Sequence, residues 1–228
     1  MNLDNLKQLS SLRARKQPCA LVTDTQSGKQ ALVTDSVVGD LELAPAILDT
    51  VRARIASDRS GVLDGGLFVR VYSPPTRMII IGAVHIAQAL APMAQLAGFD
   101  VTVIDPREAF VRSGNLANVA AIIDWPDDAM EKVQPDMRTA VVTLTHDPKL
   151  DDPALCAALR SPAFYIGALG SRKTHAKRLD RLKDAGFSAA VTARIHGPVG
   201  LDIDASSPAE IAVSILAQVI AVLRAEAA

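Results

Sequence analysis

From residue 77 onward the chain alternates short apolar runs with amphipathic stretches of helical length, and that rhythm constrains the fold more than any other feature. The runs at 78–81, 101–104, 119–123, 140–144, 163–166 and 191–195 are continuous enough to be strands buried on both faces, as parallel strands are. Between them, Ile86, Leu90, Met93 and Ala97 form one helical stripe that stops at Gly98, where a C-terminal glycine belongs. Asp152-Pro153 reads as an N-cap with proline at the first helical position, and Ser207-Pro208-Ala209-Glu210 combines that proline with a capping box. Strand and helix in strict alternation predict an α/β fold built on a doubly wound parallel sheet.

The first 75 residues follow a different pattern. A short helix at 3–13 is followed by strand-like runs at 20–23 and 31–38 around the turn-forming Gln26-Ser27-Gly28, which predicts a hairpin. Leu43, Ile47, Val51 and Ile55 then repeat at four-residue spacing as a helix, and Gly65-Gly66 introduces a strand at 67–72. Ser73-Pro74-Pro75 ends this part, because consecutive prolines withdraw backbone donors and force extended neighbours. The expected organisation is a small N-terminal α+β domain over 1–75 and the parallel-sheet domain over 76–228.

Composition narrows the function classes. With 49% hydrophobic residues and a formal charge of -1 over 228 residues, the chain can fill two cores and lacks the polyelectrolyte character of a nucleic-acid binder. Its two cysteines, Cys19 and Cys156, form neither a CxxC pair nor a disulfide framework, which fits a reducing compartment. The stretch from Met1 to Arg15 has no apolar signal-peptide core, and no segment approaches ~18 uninterrupted apolar residues. A soluble cytoplasmic protein without membrane association is expected.

The chemistry-bearing residues gather at predicted strand ends. The first strand of the second domain runs into Gly82-Ala83-Val84-His85-Ile86-Ala87, the position of the glycine loop in a Rossmann-like domain, with Val84 in the place of the second glycine. Asp105 ends the second strand, where an acidic residue meets a ribose hydroxyl in dinucleotide binders, and Arg107 follows. Thr145-His146-Asp147 ends the fourth strand; in a sheet of order 3-2-1-4-5-6 this brings His146 toward His85 across the switch-point crevice. Two readings stay open for the histidines: partners of backbone carbonyls in their own turns, or lining of one pocket. The fifth strand leads into Gly167-Ala168-Leu169-Gly170-Ser171-Arg172-Lys173, whose helix N-terminus and first-turn cations suit an anion. Lys177, Arg178 and Arg181 read first as a solvated face and second as a partner surface. His196 opens a glycine- and proline-rich turn, structural by default; Glu210 is explained by the capping box, and the cysteines read as inert thiols.

In order and spacing, Gly82-Ala83-Val84-His85, Asp105-Pro106-Arg107, Thr145-His146-Asp147, the Tyr165 to Arg172 stretch, the His196 to Ile203 stretch and the Pro208 to Ile215 stretch resemble the Rossmann-domain motifs of the XdhC/CoxI family, the accessory factors of molybdenum hydroxylases. The resemblance covers residues 77–223 strongly and the first 75 faintly. It implies a chaperone that binds the molybdenum-pterin cofactor (molybdopterin or its dinucleotide form), protects the sulfurated form and passes it to an apo molybdenum hydroxylase of the xanthine or carbon monoxide dehydrogenase type. A cysteine desulfurase is then a second partner, and no metabolite is turned over. The cofactor-binding residues implied are Gly82, His85, Asp105, Arg107, His146, Asp147, Gly167, Gly170, Ser171, Arg172 and His196, with the metal ligands open. The chain departs from the family pattern at Val84, where the glycine loop has a glycine, and at Asp40, which stands in the place of a cysteine. The rival reading is an NAD(P)-dependent oxidoreductase; the fold and Asp105 favour it, whereas Val84 and the lack of a hydride-transfer dyad oppose it. The apolar stretch 211–223 reads either as core or as part of a homodimer contact.

Overall fold

Period-two burial shapes the N-terminal part of the computed structural model, which describes residues 3–111, 116 and 118–225. The outermost residues of both expected domains, 1–2 and 226–228, lie outside the described residues. The chain divides into two compact units, Met1–Pro74 with the last residues from Arg224, and Pro75–Leu223.

The first unit runs α1 (Leu3–Ala14), β1 (Cys19–Asp24), β2 (Gln30–Val33), β3 (Val37–Gly39), α2 (Pro45–Ala56), β4 (Gly61–Leu63) and β5 (Leu67–Tyr72). The strands form an antiparallel sheet of order β3-β2-β1-β5-β4. Along β1, Ala20 and Val22 join Val69, Val71 and the α2 residue Val51, while Cys19 and Leu21 join Leu32 and the α1 residue Leu9. Alternation therefore gives the sheet one helix on each face. The single run expected at 31–38 is two strands: at 34–36 the Thr34 N–H donates to the Ser36 carbonyl and the chain reverses, so β3 pairs back on β2. The strand β4 is an addition to the sequence reading; its three residues are too short to show a period.

The second unit contains β6 (Arg77–Ile81), α3 (His85–Leu96), β7 (Asp100–Ile104), α4 (Glu108–Val111), β8 (Ala120–Ile122), α5 (Pro126–Val133), β9 (Thr139–Thr143), α6 (Pro148–Arg160), β10 (Tyr165–Ala168), α7 (Arg172–Asp184), α8 (Ala189–Thr192), β11 (Ile195–His196) and α9 (Pro208–Ala225). All six strands are parallel, in the order β11-β10-β9-β6-β7-β8. Counted from β6 this is 3-2-1-4-5-6, the doubly wound Rossmann arrangement. Along β6, Met78 and Ile80 face the cluster containing α3 and α9, whereas Ile79 and Ile81 face the cluster containing α5, α6 and α7. Both faces of the sheet are thus covered, as its uninterrupted apolar strands require.

Three expectations are corrected here. The stripe of α3 that meets the sheet is Ala87, Leu90, Ala91 and Ala94; Ile86 and Met93 flank it, because small residues let the helix lie close to the strands. The helix expected to start at Asp152-Pro153 starts at Asp147-Pro148, where the Asp147 side chain accepts the Lys149 N–H at 3.0 Å. The two Asp-Pro pairs carry the same signal, and the one directly after the strand end is used. The strand expected at 191–195 opens instead with the end of the short helix α8, capped by Ser188, and a turn at 193–194, so that β11 begins only at Ile195 and has two residues. The Ser207–Glu210 capping box forms in both directions, with Ser207 N–H donating to Glu210 Oε2 at 2.9 Å and Glu210 N–H to Ser207 Oγ at 3.2 Å. Among the described residues, α9 is the single helix long and apolar enough to cross a bilayer by length and composition. Its Ala212, Ile215 and Val219 pack in the core of the sheet domain, which a soluble core helix also does.

Candidate functional site

Strand pairing brings the ends of β6 and β9 together, with Ile81 opposite Thr143 and the Leu144 N–H donating to the Ile81 carbonyl at 2.9 Å. Gly82 has φ +102°, and a Cβ there would lie 2.4 Å from Thr145 Cγ2, so only glycine lets the turn pass the fourth strand's end. The turn is then pinned from β7. Asp105 is fully buried, and its Oδ2 accepts the Ala83 N–H at 2.8 Å and Arg107 Nη2 at 2.8 Å. Its Oδ1 accepts the backbone N–H and Nε of Arg107, each at 2.9 Å. Burial pushes this carboxyl up, but the hydrogen bonds from Arg107 and Ala83 outweigh it and hold the group below the usual carboxylate range. All four lone-pair positions are occupied, so Asp105 acts through the turn it holds, and a ribose hydroxyl would have to displace one of these donors. The Arg107 guanidinium, 41% exposed, lies 4.3 Å from the centre of the Phe110 ring and feels the Asp147 charge after that of Asp105. Arg107 and Asp147 each follow the carboxyl end of a strand, β7 and β9.

Beside it, Val84 enters α3 with no side-chain cap, so the amides of the first turn are free of side-chain partners. His85 is exposed on that turn. His146 has φ +61°, in the left-handed region that few non-glycine residues enter and that histidine tolerates better than most. No hydrogen bond or ion pair joins the two histidines; His146 instead lines a cavity between α6 and α7.

The loop after β10 is built for close packing. A Cβ on Gly167 would come within 2.5 Å of Val199 Cγ2 and 2.8 Å of the Tyr165 ring. Ser171 caps α7 by accepting the Thr174 N–H at 3.1 Å, with Gly170 before it and the exposed Arg172 after it. His196 pairs in register with Gly167 and stacks on Tyr165, ring centres 4.7 Å apart and 10° from parallel. Burial pushes its imidazole pKa down, so at neutral pH it is a packed neutral ring. The Tyr165 hydroxyl donates to Gln218 Oε1 at 2.6 Å, and the Gly200 N–H reaches the same oxygen at 2.8 Å. Those bonds fix the 196–203 turn against α9.

The solvated face expected on α7 is corrected for Arg178, which is 1% exposed and faces Asp151, also 1% exposed, at 3.8 Å. Its Nη2 donates to the Leu169 carbonyl at 2.7 Å. Arg181 pairs with Asp152, whereas Lys177 stays exposed. Sequence reasoning passed over the Asp151–Arg178 pair. The available signal was Arg178 standing four residues before Leu182, on the helix face that Leu182 buries. Burial pushes both free thiols, Cys19 and Cys156, above their ordinary pKa, which fits inert groups. Among the described residues no three His, Cys, Asp or Glu side chains group as a metal site. In the first unit Asp40 Oδ1 accepts the Gln30 N–H at 2.8 Å and closes the β2–β3 edge.

Strand order, switch-point crevice and glycine turn define a Rossmann-type α/β domain, the class of sheet that binds ligands beyond its strand carboxyl ends. Residues 78–219 match the XdhC Rossmann domain, and the chain belongs to the XdhC family. It is 34% identical over 151 residues to the molybdenum cofactor insertion chaperone PaoD of Escherichia coli K12, covering 66% of this chain and 41% of that protein. It is 32% identical over 155 residues to a probable xanthine dehydrogenase subunit of Bacillus subtilis 168, covering 68% of this chain and 45% of that protein. To the uncharacterized protein YqeB of E. coli K12 it is 30% identical over 203 residues, covering 85% and 36%. The chain thus spans less than half the length of these curated relatives. A crystal structure described as a xanthine dehydrogenase from Bacillus halodurans superposes with a TM-score of 0.75 at 25% identity, covering 97% of this chain and 67% of that one.

Proposed function

We propose that this protein is an accessory factor that binds the molybdenum-pterin cofactor and delivers it, in sulfurated form, to an apo molybdenum hydroxylase of the xanthine or carbon monoxide dehydrogenase type. The match of residues 78–219 to the XdhC Rossmann domain carries this reading, supported by a relative named as a molybdenum cofactor insertion chaperone. The site is compatible with an anionic pterin cargo. Under this proposal Gly82, His85, Asp105, Arg107 and Asp147 line the crevice at the ends of β6, β7 and β9, His146 meets the cargo from the α6–α7 cavity, and Gly167, Gly170, Ser171 and Arg172 frame the entrance of α7, where Ser171 already takes the Thr174 N–H. In this reading His196 and Asp105 position their turns, while Arg107, His146 and Arg172 meet the cargo. The protein works in the cytoplasm, with the apo enzyme and a cysteine desulfurase as partners and a homodimer through α9 as its assembly; it catalyses no turnover of its own.

The Rossmann strand order also favours a nicotinamide cofactor, which makes NADH the control ligand. Purified protein is incubated with isolated molybdenum-pterin cofactor and gel-filtered, and co-eluting molybdenum and oxidised-pterin fluorescence are measured beside an NADH titration. Stoichiometric molybdenum and pterin without NADH binding is expected. Tight NADH binding with no pterin would replace the accessory role by an oxidoreductase.

A further inference from the structure

Helices α6 and α7 enclose a cavity of about 310 Å³ lined by His146, Asp151, Lys173, Lys177, Arg178 and Arg181. Arg181 is already paired with Asp152, whereas Lys173 and Lys177 have no carboxylate partner among the described residues. At the inner end sit Asp151 and Arg178, too far apart at 3.8 Å to share a hydrogen bond. Asp151 Oδ1 is engaged by Thr145, whose hydroxyl donates to it at 2.7 Å. Asp151 Oδ2 and Arg178 Nε are buried with no hydrogen-bond partner among the described residues. Two orphaned buried polar groups on residues lining one cavity are expensive unless something satisfies them.

The bridging group must satisfy three conditions at once. It is an anion, since two unpaired lysines and a buried arginine surround it. It accepts from Arg178 Nε. With Asp151 ionised, it donates one hydrogen bond to Asp151 Oδ2. Sulfate carries no proton near neutral pH and a phosphate diester has no O–H, so both fail the third condition. Inorganic phosphate keeps an O–H across neutral pH, and a phosphate monoester, whose second pKa is ~6, keeps one chiefly below that pH, so each meets all three conditions in its protonated form. We propose that the α6–α7 cavity is a subsite for a terminal phosphate monoester, held by Lys173, Lys177 and Arg178 and selected by Asp151 accepting its O–H. The chemistry is shared by free inorganic phosphate and by the protonated terminal phosphate of molybdopterin; the dinucleotide form, whose two phosphates are joined as a pyrophosphate without an O–H near neutral pH, is excluded. The molybdopterin assignment rests on the accessory-factor reading above.

Calorimetric titration of the full chain with inorganic phosphate and with sulfate, at matched ionic strength, tests the subsite. Phosphate is expected to bind at least roughly tenfold more tightly than sulfate, since one hydrogen bond to a charged group carries about that factor. Asp151→Asn, which replaces the acceptor by an amide donor, raises sulfate binding and erases the difference. Lys173 is exposed, so Lys173→Gln leaves the melting temperature unchanged and weakens phosphate roughly fivefold, which keeps the test valid if Asp151→Asn does not fold. Equal binding of phosphate and sulfate by the unaltered protein, or phosphate affinity indifferent to Lys173→Gln, overturns the subsite. In competition, inorganic phosphate displaces molybdopterin and not the dinucleotide form; equal displacement of both overturns the monoester selection. Retention of molybdenum-pterin with failure of the phosphate arms sinks the subsite and leaves the accessory role standing. Selective phosphate binding without any pterin does the reverse.

Discussion

Two buried aspartates at the carboxyl edge of the same sheet have opposite circumstances. Asp105 closes a bidentate fork with Arg107 and takes the Ala83 N–H, and its carboxyl is held below the usual range. Asp151 faces an arginine 3.8 Å away; burial pushes its carboxyl up, only partly offset by Thr145 and Arg178. Burial likewise pushes the Arg178 guanidinium down, ahead of the opposing pull of Asp151. Charge pairing alone does not distinguish them, since each has an arginine. Geometry does: one pair is complete and acts as a clamp, and the other leaves a donor and an acceptor open to a ligand.

The comparison breaks most directly by removing the clamp. Asp105→Ala strips acceptors from the Ala83 N–H and the Arg107 fork, and a loss of about 3 kcal/mol in denaturant-derived stability is expected. Asp151→Asn keeps the Thr145 contact and removes an under-compensated charge, so about 1 kcal/mol or less is expected in the same measurement. An Asp151 loss equal to that of Asp105 would erase the distinction. The pH profiles sharpen it further. Asp105 has a lowered folded pKa, so its contribution is complete above the unfolded value of 3.8 and fades as pH falls; Asp105→Asn flattens the acid limb. Asp151 has a raised folded pKa, so its contribution is complete below 3.8 and fades as pH rises through the folded value; Asp151→Asn stabilises neutral pH relative to acid. Opposite tilts in thermal melts across pH are the expected signature, and parallel tilts would contradict it. The smallest effect belongs to Glu210, a fully exposed carboxylate lowered from 4.5 to about 2 by the backbone and hydroxyl donors of Ser206 and Ser207. Its contribution is complete above pH 4.5 and disappears as pH falls through about 2, so a melting difference between wild type and Glu210→Gln should close over that window.

The parallel sheet was legible because its strands are buried on both faces and bounded by glycine turns and proline caps. The elements that escaped are those decided by neighbours. Residues 191–195 are apolar enough for a strand, yet Ser188 caps the preceding turn into a helix. Strand β4 has no period of its own and exists because β5 offers it an edge. Among site residues, Gly82 was readable as the glycine of the turn, whereas the capping of α7 by Ser171 came only with the structure. Arg178 was not, since a cation within Lys177, Arg178 and Arg181 looks solvated until the cover of α6 is known. Asp105 could be assigned to a strand end, but that its own neighbour Arg107 fills it is visible only in three dimensions.

The turn at Gly82 is fixed twice over, by its left-handed φ and by the approach of Thr145, 63 residues further along the chain. A side chain at 82 is strained by the backbone however small residue 145 becomes, so shrinking Thr145 does not release the position. In descendants of this chain position 82 is expected to stay glycine whatever happens at 145, so the lineage's freedom to remodel the crevice floor lies outside that turn.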